Sequence, residues 1–304
     1  MWLLMVALAM MAKSYTVTSP NGQLTAQVEV GTVIKYSLKD ASQQLVLPSA
    51  IALKTDRGTW GENSHLRRAV KTTHRGQIAA FAYKRNEVSD CYNQLRLQFK
   101  EGFDLIFRLY DEGMAYRFAS TLKSEVTIND EQAQMRFASD WKAQIPYVRD
   151  SGDREDQLHN SFENNYTSAC LSELRDGQLI FLPYIVKADN GVKVVVAESD
   201  VENYPGMFVE KGSKENGMDA VFAPCPKTVK QGGHNELEQI VTETEDYIAL
   251  AKPKQKFPWR IISVSAEDKD ILDNDMVFRL AAPSRLADAS WVKPGKVAWD
   301  WWND

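Results

Sequence analysis

Cysteine is scarce in this sequence. Only three of the 304 residues are cysteines, Cys91, Cys170 and Cys225. They are too far apart for a Cys-x-x-Cys motif, and no histidine stands at zinc-ligand spacing from them. The pattern therefore excludes an ordinary structural zinc site and a dense disulfide framework. One disulfide at most could form, and we expect none.

An excess of positive charge is also missing. The chain has 36 lysines and arginines against 41 aspartates and glutamates, which gives a formal net charge of -5. No stretch of the chain concentrates lysine and arginine. Because nucleic acids and anionic membranes attract basic surfaces, we expect neither as a partner.

The apolar run at the N-terminus, residues 2–11, is too short to span a bilayer. Its length is typical of the central region of a signal peptide, and Ala12 and Ser14 follow it as candidate cleavage-site residues. The basic residues that usually precede such a run are absent, so an N-terminal strand is the alternative. We predict that residues 1–14 are a signal peptide and that the protein is secreted.

Familiar catalytic signatures are absent as well. The sequence has no glycine-rich phosphate loop, no G-x-S-x-G motif and no H-E-x-x-H motif. Its four histidines are scattered along the chain. Nothing specific supports a Ser-His-Asp site.

Alternation of apolar and polar residues dominates the rest of the chain. Residues 24–30 and 34–38 alternate around a Gly-Thr turn, and residues 95–99, 103–109 and 114–118 form three further runs separated by turns. A period of two predicts β-strands with one buried face, and we expect the polar face of the 95–118 meander to be solvated.

Further strands are predicted at residues 126–128, 179–186, 192–196, 207–209, 238–241, 248–251 and 259–264. Residues 268–275 are the only helical segment of weight, and a linker is expected at residues 281–289. This spacing of strands predicts an all-β protein, a large antiparallel sandwich over residues 15–280. Arg260, at the start of the last strand, is expected to pair with a carboxylate or stack on an aromatic ring.

The polar segment 150–167 interrupts this pattern. Its first half lacks the ligand spacing of an EF-hand loop, so we interpret its acidic residues as a solvated tip. Its second half, residues 161–167, combines Glu163 with amide oxygens and aromatic rings. Such a mixture suits a calcium or sugar site, although surface glutamates are common and an ordinary exposed residue is the alternative.

The C-terminal residues 291–304 contain four of the eight tryptophans. A Pro-Gly turn precedes a short apolar run, and Asp300 then stands among the tryptophans. Indole rings pack on the apolar faces of sugars while carboxylates bind their hydroxyls, so this pattern is typical of the start of a sugar-binding cleft. We interpret the chain as a β-domain followed by the first strand of something larger.

Several of these segments together resemble glycoside hydrolase family 97, the calcium-dependent α-glucosidases and α-galactosidases. The resemblance covers nearly the whole chain, in order, and rests on residues 18–22, 107–118, 161–167, 202–207, 258–260, 289–296 and 299–302. It implies a β-super-sandwich of the galactose-mutarotase-like kind, followed by a (β/α)8 barrel and a small C-terminal β-domain. Residues 281–304 would then be the linker and the first strand of a truncated barrel.

The resemblance also implies site residues. Glu163 occupies the position of the calcium ligand that the sandwich contributes, and Ca²⁺ needs further oxygen ligands that would come from the barrel. Both catalytic carboxylates would lie beyond Asp304, so this chain has no catalytic residue of its own. Residues 299–302 resemble the first barrel strand of the retaining, α-galactosidase-like branch. Asp300 and Trp302 would line the sugar subsite, with tryptophans as barrel core the alternative.

The leading hypothesis is the N-terminal part of a secreted, periplasmic glycoside hydrolase that cleaves α-glycosidic bonds in oligosaccharides, inactive without its barrel. The expected partners are an oligosaccharide and the missing barrel of the same polypeptide. A free-standing carbohydrate-binding sandwich, or a purely structural one, remains the alternative.

Overall fold

The computed structural model describes residues 12–149, 152–159 and 162–298. This part of the chain folds into β-strands, with three short α-helices. The strands are β1 Lys13–Thr18, β2 Thr25–Val30, β3 Ile34–Lys39, β4 Gln44–Thr55, β5 Gly58–Trp60, β6 Leu66–Ala79, β7 Glu87–Phe99, β8 Phe103–Tyr110, β9 Gly113–Ser120, β10 Val126–Ala133, β11 Met135–Phe137, β12 Lys142–Ile145, β13 Thr167–Cys170, β14 Tyr184–Lys187, β15 Lys193–Ser199, β16 Met207–Lys211, β17 Gly217–Phe222, β18 Pro226–Gly232, β19 Glu238–Thr244, β20 Ala249–Ala251 and β21 Trp259–Ser265. The helices are α1 Arg154–Leu158, α2 Asp268–Leu272 and α3 Met276–Leu280.

Two large antiparallel sheets form the body of the domain. The first is ten-stranded and runs β1-β2-β3-β4-β11-β17-β16, with β5, β10 and β20 attached beside this path. The second is nine-stranded and runs β13-β12-β14-β15-β21-β9-β8-β7-β6. A separate two-stranded ribbon, β18–β19, has mostly exposed residues. The predicted all-β antiparallel sandwich is therefore confirmed.

The core lies between the two sheets and is rich in aromatic rings. Tyr36 of the first sheet packs against Phe107 and Tyr116 of the second, with ring centroids 6.4 and 5.2 Å apart. Trp60 stacks on Phe103 at 5.1 Å. These contacts join strands that are far apart in sequence, so the inward faces of the alternating runs pack as the period of two predicts.

The polar face of the meander is solvated as predicted on β7, where Arg96 is exposed, but not on β8 and β9. Every residue of β9 is buried, and β8 is buried except at Ile106 and Arg108, which are half-buried. The reason is a second layer on the outer face of the nine-stranded sheet. There α3 places Met276 and Leu280 against Tyr110, in a small apolar cluster outside the main core. Helix α3 therefore covers part of a face that the alternation of apolar and polar residues predicts to be solvated.

Three other segments differ from their predictions. The strand expected at residues 179–186 begins only at Tyr184, because Pro183 has no N–H to donate to a ladder. The helix expected at 268–275 ends early, since α2 stops at Leu272, and a second helix, α3, follows at Met276–Leu280. The acidic tip of the 150–167 segment forms the helix α1, capped by the side chain of Asp153.

The two ends of the chain are described only in part. Of the predicted signal peptide, residues 1–11 lie outside the described residues, whereas Lys13 and Ser14 belong to β1 and pair with β2. Of the predicted linker and barrel strand, residues 281–298 contain no strand, and residues 299–304 lie outside the described part. No helix in the described ranges is long and apolar enough to cross a membrane.

Candidate functional site

The loop that carries Glu163 is held against the sandwich by an aromatic cluster. The ring of Phe162 lies 5.0 Å from that of Phe181 and 5.7 Å from that of Phe208. Phe162 is nevertheless 55% exposed, because only one of its faces is covered. The residue immediately before Glu163 is therefore anchored to the domain.

Two hydrogen bonds hold the loop on the other side of Glu163. The side-chain amide of Asn164 donates to the carbonyl of Tyr147 at 3.1 Å, and the hydroxyl of Tyr166 donates to the carbonyl of Pro183 at 2.8 Å. Glu163 itself is exposed. Anchored neighbours reduce the freedom of the backbone at Glu163, so the loop presents this carboxylate to solvent from a defined position.

An apolar groove of about 750 Å³ opens beside this loop. Its walls are the Phe162 cluster on one side and the 203–208 segment on the other, and the ribbon and β20 close the far end. The groove is lined by Leu158, His159, Phe162, Phe181, Leu182, Glu198, Asn203, Tyr204, Pro205, Gly206, Met207, Phe208, Ala223, Pro224, Cys225, Pro226, Val241, Ile248, Ala249 and Leu250. An apolar cleft of this size is unusual on a monomer surface that no partner covers.

A buried ion network supports the 203–208 wall. The guanidinium of Arg260 donates to both carboxylate oxygens of Glu131, at 2.8 and 2.6 Å, and to Glu198 at 2.6 Å. The hydroxyl of Tyr204 donates to Glu131 at 2.8 Å, and the backbone N–H of Met207 donates to Glu198 at 3.0 Å. One arginine thus joins the two sheets and fixes the loop between β15 and β16.

Burial and the charges within this network shift the pKa values of Glu198 and Arg260. Burial raises the pKa of Glu198, although the charge of Arg260 opposes the shift. Burial by itself would lower the pKa of Arg260, but the attraction of Glu131 outweighs it and the pKa is raised. Glu131 and Glu198 are therefore partners of one cation. Neither of these carboxylates is available as the general acid or the nucleophile of glycoside hydrolysis.

The same loop holds the chain that leaves the sandwich after α3. Asp200 accepts hydrogen bonds from the guanidinium of Arg117 at 3.0 Å and from the backbone N–H of Ala282 at 2.9 Å. Glu202 pairs with Arg285 at 2.9 Å. The segment that follows the sandwich therefore begins beside the apolar groove.

Of the sequence-predicted site residues, Glu163 lies on the surface next to the groove, whereas Asp300 and Trp302 lie outside the described residues. Within the described ranges, no three histidine, cysteine, aspartate or glutamate side chains come together as a metal site. The prediction that Arg260 pairs with a carboxylate is confirmed. The three cysteines are free.

Sequence reasoning missed Glu131 and Glu198. Glu131 is 4% exposed because a register shift between Ile128 and Asp130 moves the buried positions of β10 from even to odd numbers. Such a bulge leaves no signal in an alternating pattern. Glu198 carries no local signal either, since the arginine that binds it is 62 positions away in sequence.

The fold matches solved structures of glycoside hydrolases. A glycoside hydrolase family 97 enzyme from Pseudoalteromonas sp. strain K8, in complex with acarbose, superposes with a TM-score of 0.75 at 19% identity. That match covers 92% of this chain and 40% of the other. A β-arabinopyranosidase structure matches with a TM-score of 0.67 at 20% identity, over 83% of this chain and 40% of the other. The architecture is therefore that of a β-sandwich domain found in larger glycoside hydrolases.

The family is shown by sequence. Residues 17–283 match the family described as Glycosyl-hydrolase 97 N-terminal, and the chain belongs to glycoside hydrolase family 97. A retaining α-galactosidase of Bacteroides thetaiotaomicron is 42% identical over 295 residues, which is 96% of this chain. The chain spans 45% of the length of that relative. The resemblance stated from the motifs is thereby confirmed.

Proposed function

We propose that this chain is the N-terminal part of a secreted, periplasmic, calcium-dependent α-galactosidase that acts on oligosaccharides. The observation that carries the proposal is the 42% identity to a retaining α-galactosidase over 96% of the chain. The catalytic carboxylates would belong to the part of the relative that this chain does not span. The pairing of both Glu131 and Glu198 with Arg260 agrees with this division of labour.

The role proposed for the sandwich is to dock the catalytic barrel. The apolar groove supplies a surface that gains free energy when water leaves it. The chain leaving α3 is tied to Asp200 and Glu202, next to the same groove. The segment that leads from the sandwich towards the proposed barrel therefore starts close to the surface that the barrel would cover.

Glu163 is proposed to reach a calcium ion at the junction with the barrel. Ca²⁺ takes about six to eight oxygen ligands, and one exposed glutamate supplies two at most. Glu163 fits this part of the task, because Phe162 and Asn164 hold it on the surface. The remaining ligands would come from the barrel. The ion would supply positive charge that neutralises carboxylates near the reacting sugar.

Asp300 and Trp302 are proposed to line the sugar subsite of the complete enzyme. A carboxylate accepts hydrogen bonds from sugar hydroxyls, and an indole packs on the apolar face of a hexose ring. Substitution of Asp300 by Asn should raise the KM for a galactoside. If Trp302 instead belongs to the core of the barrel, its substitution should lower the stability of the longer protein.

The test begins with the genomic DNA downstream of codon 304, which gives the sequence needed to express the longer protein. That protein should hydrolyse nitrophenyl α-galactoside, and NMR should show that the released sugar keeps the configuration of the substrate. The 304-residue chain should show no turnover. Full activity of the 304-residue chain, or activity on the α-glucoside alone, would contradict the proposal.

The calcium proposal is tested separately in the longer protein. Glu163→Gln should weaken calcium binding and activity together, and added calcium should restore part of the activity. Glu155→Gln is the matched control, since Glu155 is exposed on the nearby α1 and should leave both unchanged. Equal behaviour of the two variants would remove Glu163 from the calcium site.

A further inference from the structure

The outer face of the nine-stranded sheet gathers arginines that are scattered in sequence. In the register of β7, β8 and β9, Arg96 pairs with Ile106, and Ile106 pairs with Arg117. Two residues away along the same two strands, Gln94 pairs with Arg108. Residues that pair across antiparallel strands share a face, so the three arginines stand on the same side of the sheet.

A groove of about 480 Å³ crosses this face, away from the apolar groove beside Glu163. Its floor includes the short side chains of β9, and the 254–256 turn forms one rim. The groove is lined by Gln94, Arg96, Asp104, Ile106, Arg108, Ala119, Ser120, Thr121, Lys254 and Lys256. Four basic side chains and a single carboxylate thus meet in one groove, although the chain as a whole is acidic.

The single carboxylate of the groove, Asp104, already forms an ion pair with Arg96. Asp104 is 2% exposed and accepts a hydrogen bond from the Nε of Arg96 at 2.8 Å, as well as one from its Nη2. The charge of Arg96 is therefore balanced inside the groove. The other three cations that line the groove, Arg108, Lys254 and Lys256, form no ion pair with a carboxylate in the described part of the chain.

Arg108 is rigidly placed but not neutralised. Its Nε donates to the neutral amide oxygen of Gln94 at 3.1 Å. Its guanidinium carbon lies 4.3 Å from the ring centre of Tyr92 and 4.9 Å from that of Trp259. These rings hold the guanidinium without cancelling its charge. Burial lowers the pKa of Arg117, and the neighbouring Arg108 adds to the shift while Asp200 opposes it.

The two lysines complete the basic rim. Lys256 bridges to Ala119 of β9, and the backbone N–H of Lys254 donates to the carbonyl of Leu122 at 3.1 Å. Both side chains are exposed, and no carboxylate in the described part of the chain forms an ion pair with either. The backbone of the turn is thus fixed, and both lysines line the groove.

We propose that this groove binds the anionic group of a saccharide, a carboxylate or a sulfate ester. A planar guanidinium suits both groups, and a groove of this volume accommodates a small ligand. That a saccharide carries the anion rests on the proposed glycosidase function. The groove would add selectivity for uronate-containing or sulfated oligosaccharides to a protein family defined by its glycosidase chemistry.

The test is calorimetric titration of the 304-residue chain at low ionic strength. The probes are a galacturonate oligosaccharide, a sulfated galactose oligosaccharide and a neutral galactose oligosaccharide of equal length. The charged probe that matches the groove should bind at least about tenfold more tightly than the neutral one, and this preference should shrink with added salt. The two charged probes separate the carboxylate source from the sulfate source.

The decisive variant is Lys254→Gln/Lys256→Gln, which should lose about tenfold in affinity for the charged probe. Lys35→Gln/Lys39→Gln changes the net charge equally on the opposite sheet, where both lysines are exposed, and should change affinity by less than about twofold. Equal loss in the two double variants, or equal binding of neutral and charged probes, overturns the inference.

This outcome can be separated from that of the proposed function. Binding by the 304-residue chain needs no hydrolysis, so failure of the charged probes to bind would leave an α-galactosidase assignment standing. Conversely, binding of a charged probe with no α-galactosidase activity in the longer protein would sustain the groove and refute the assignment.

Discussion

At the scale of single residues, Arg260 is the side chain on which the sandwich depends most. It is 3% exposed, and it is bound on one side by Glu131 of the ten-stranded sheet and on the other by Glu198 of its own sheet. The buried carboxylate of Glu131 and the half-buried carboxylate of Glu198 would remain without a cation if it were removed. The cost of leaving such groups unpaired exceeds what the intact pair contributes.

Arg260→Met should lower the free energy of unfolding by roughly 3–5 kcal/mol, because both glutamates lose their counterion. Chemical denaturation measures this. Arg57→Met removes an exposed ion pair and an exposed hydrogen bond to Ser124, and it should change stability by less than about 1 kcal/mol. Arg260→Lys keeps the charge without the forked hydrogen bonds, so it should fall between the two. A loss equal to that of Arg57→Met would show that the network carries little stability.

Asp275 makes the stability of the domain depend on acid pH. Burial by itself would raise the pKa of Asp275, but the hydrogen bond from Tyr83 and the charge of Lys84 outweigh it, and the pKa is lowered. The carboxylate is 2% exposed and lies 2.7 Å from the Tyr83 hydroxyl and 3.0 Å from the Lys84 ammonium. A lowered pKa stabilises the folded state above the ordinary aspartate value of about 4.

Asp275→Asn should therefore cost roughly 1–3 kcal/mol near neutral pH. The difference from the parent should shrink as the pH falls below about 4, because the parent then loses the same stabilisation. Urea unfolding at several pH values gives the curve. Asp246→Asn, at an exposed position, should leave the curve unchanged. A difference that is constant with pH would remove the electrostatic explanation.

At the scale of elements, α3 and the tip of the β6–β7 hairpin form one unit. The ring of Tyr83, in the tip, stacks on that of Phe278 at 4.4 Å. Its neighbour Arg85 pairs with Asp273, just before the helix. An isolated helix of five residues is not stable in water, so these contacts must provide its order.

Tyr83→Ala should loosen α3 while the sandwich stays folded, because the helix loses a stacked ring and a hydrogen bond to Asp275. Amide hydrogen exchange over residues 276–280 should increase by about tenfold or more, and exchange in β8 and β9 should not change. Phe81→Ala is the control, because Phe81 lies in the same tip but is 54% exposed. Unchanged exchange in α3 would show that the hairpin does not hold it.

At the scale of the whole molecule, the apolar groove is a surface that no other part of the described chain covers. Phe162 and Leu250 line it and are 55% and 47% exposed. Apolar surface of this kind costs free energy in water. The proposed barrel would remove that cost, which explains why a domain with a well-packed core keeps an apolar cleft open.

The 304-residue chain should therefore bind an apolar dye at this groove. Phe162→Ser/Leu250→Ser should reduce the fluorescence of bound bis-ANS by about half, since the two side chains contribute much of the exposed apolar surface there. Leu272→Ser is the matched control, because Leu272 is 86% exposed on α2 and does not line the groove. Equal dye binding by the parent and the two variants would place the apolar surface elsewhere.

Much of this molecule was readable from its sequence. Alternation identified the strands at residues 24–30, 34–38 and 103–118, and ordered motifs along the chain led to the correct family. Both signals are local, since a strand face and a motif each need only a few consecutive residues. Arg260 also carried a local signal, because a cation at the start of an apolar strand needs a buried partner.

Other features depended on contacts between distant segments. The bulge in β10 buries Glu131, and α3 covers the polar face of β9. The register of β7, β8 and β9 places Arg96, Arg108 and Arg117 on one face, although the sequence has no basic stripe. Local patterns in the sequence thus predicted the all-β class, many of the strands and the family, but not strands such as β4 and β6. Only the tertiary structure decided which charges meet, because strand register and sheet packing join residues that have no periodic relation in the chain.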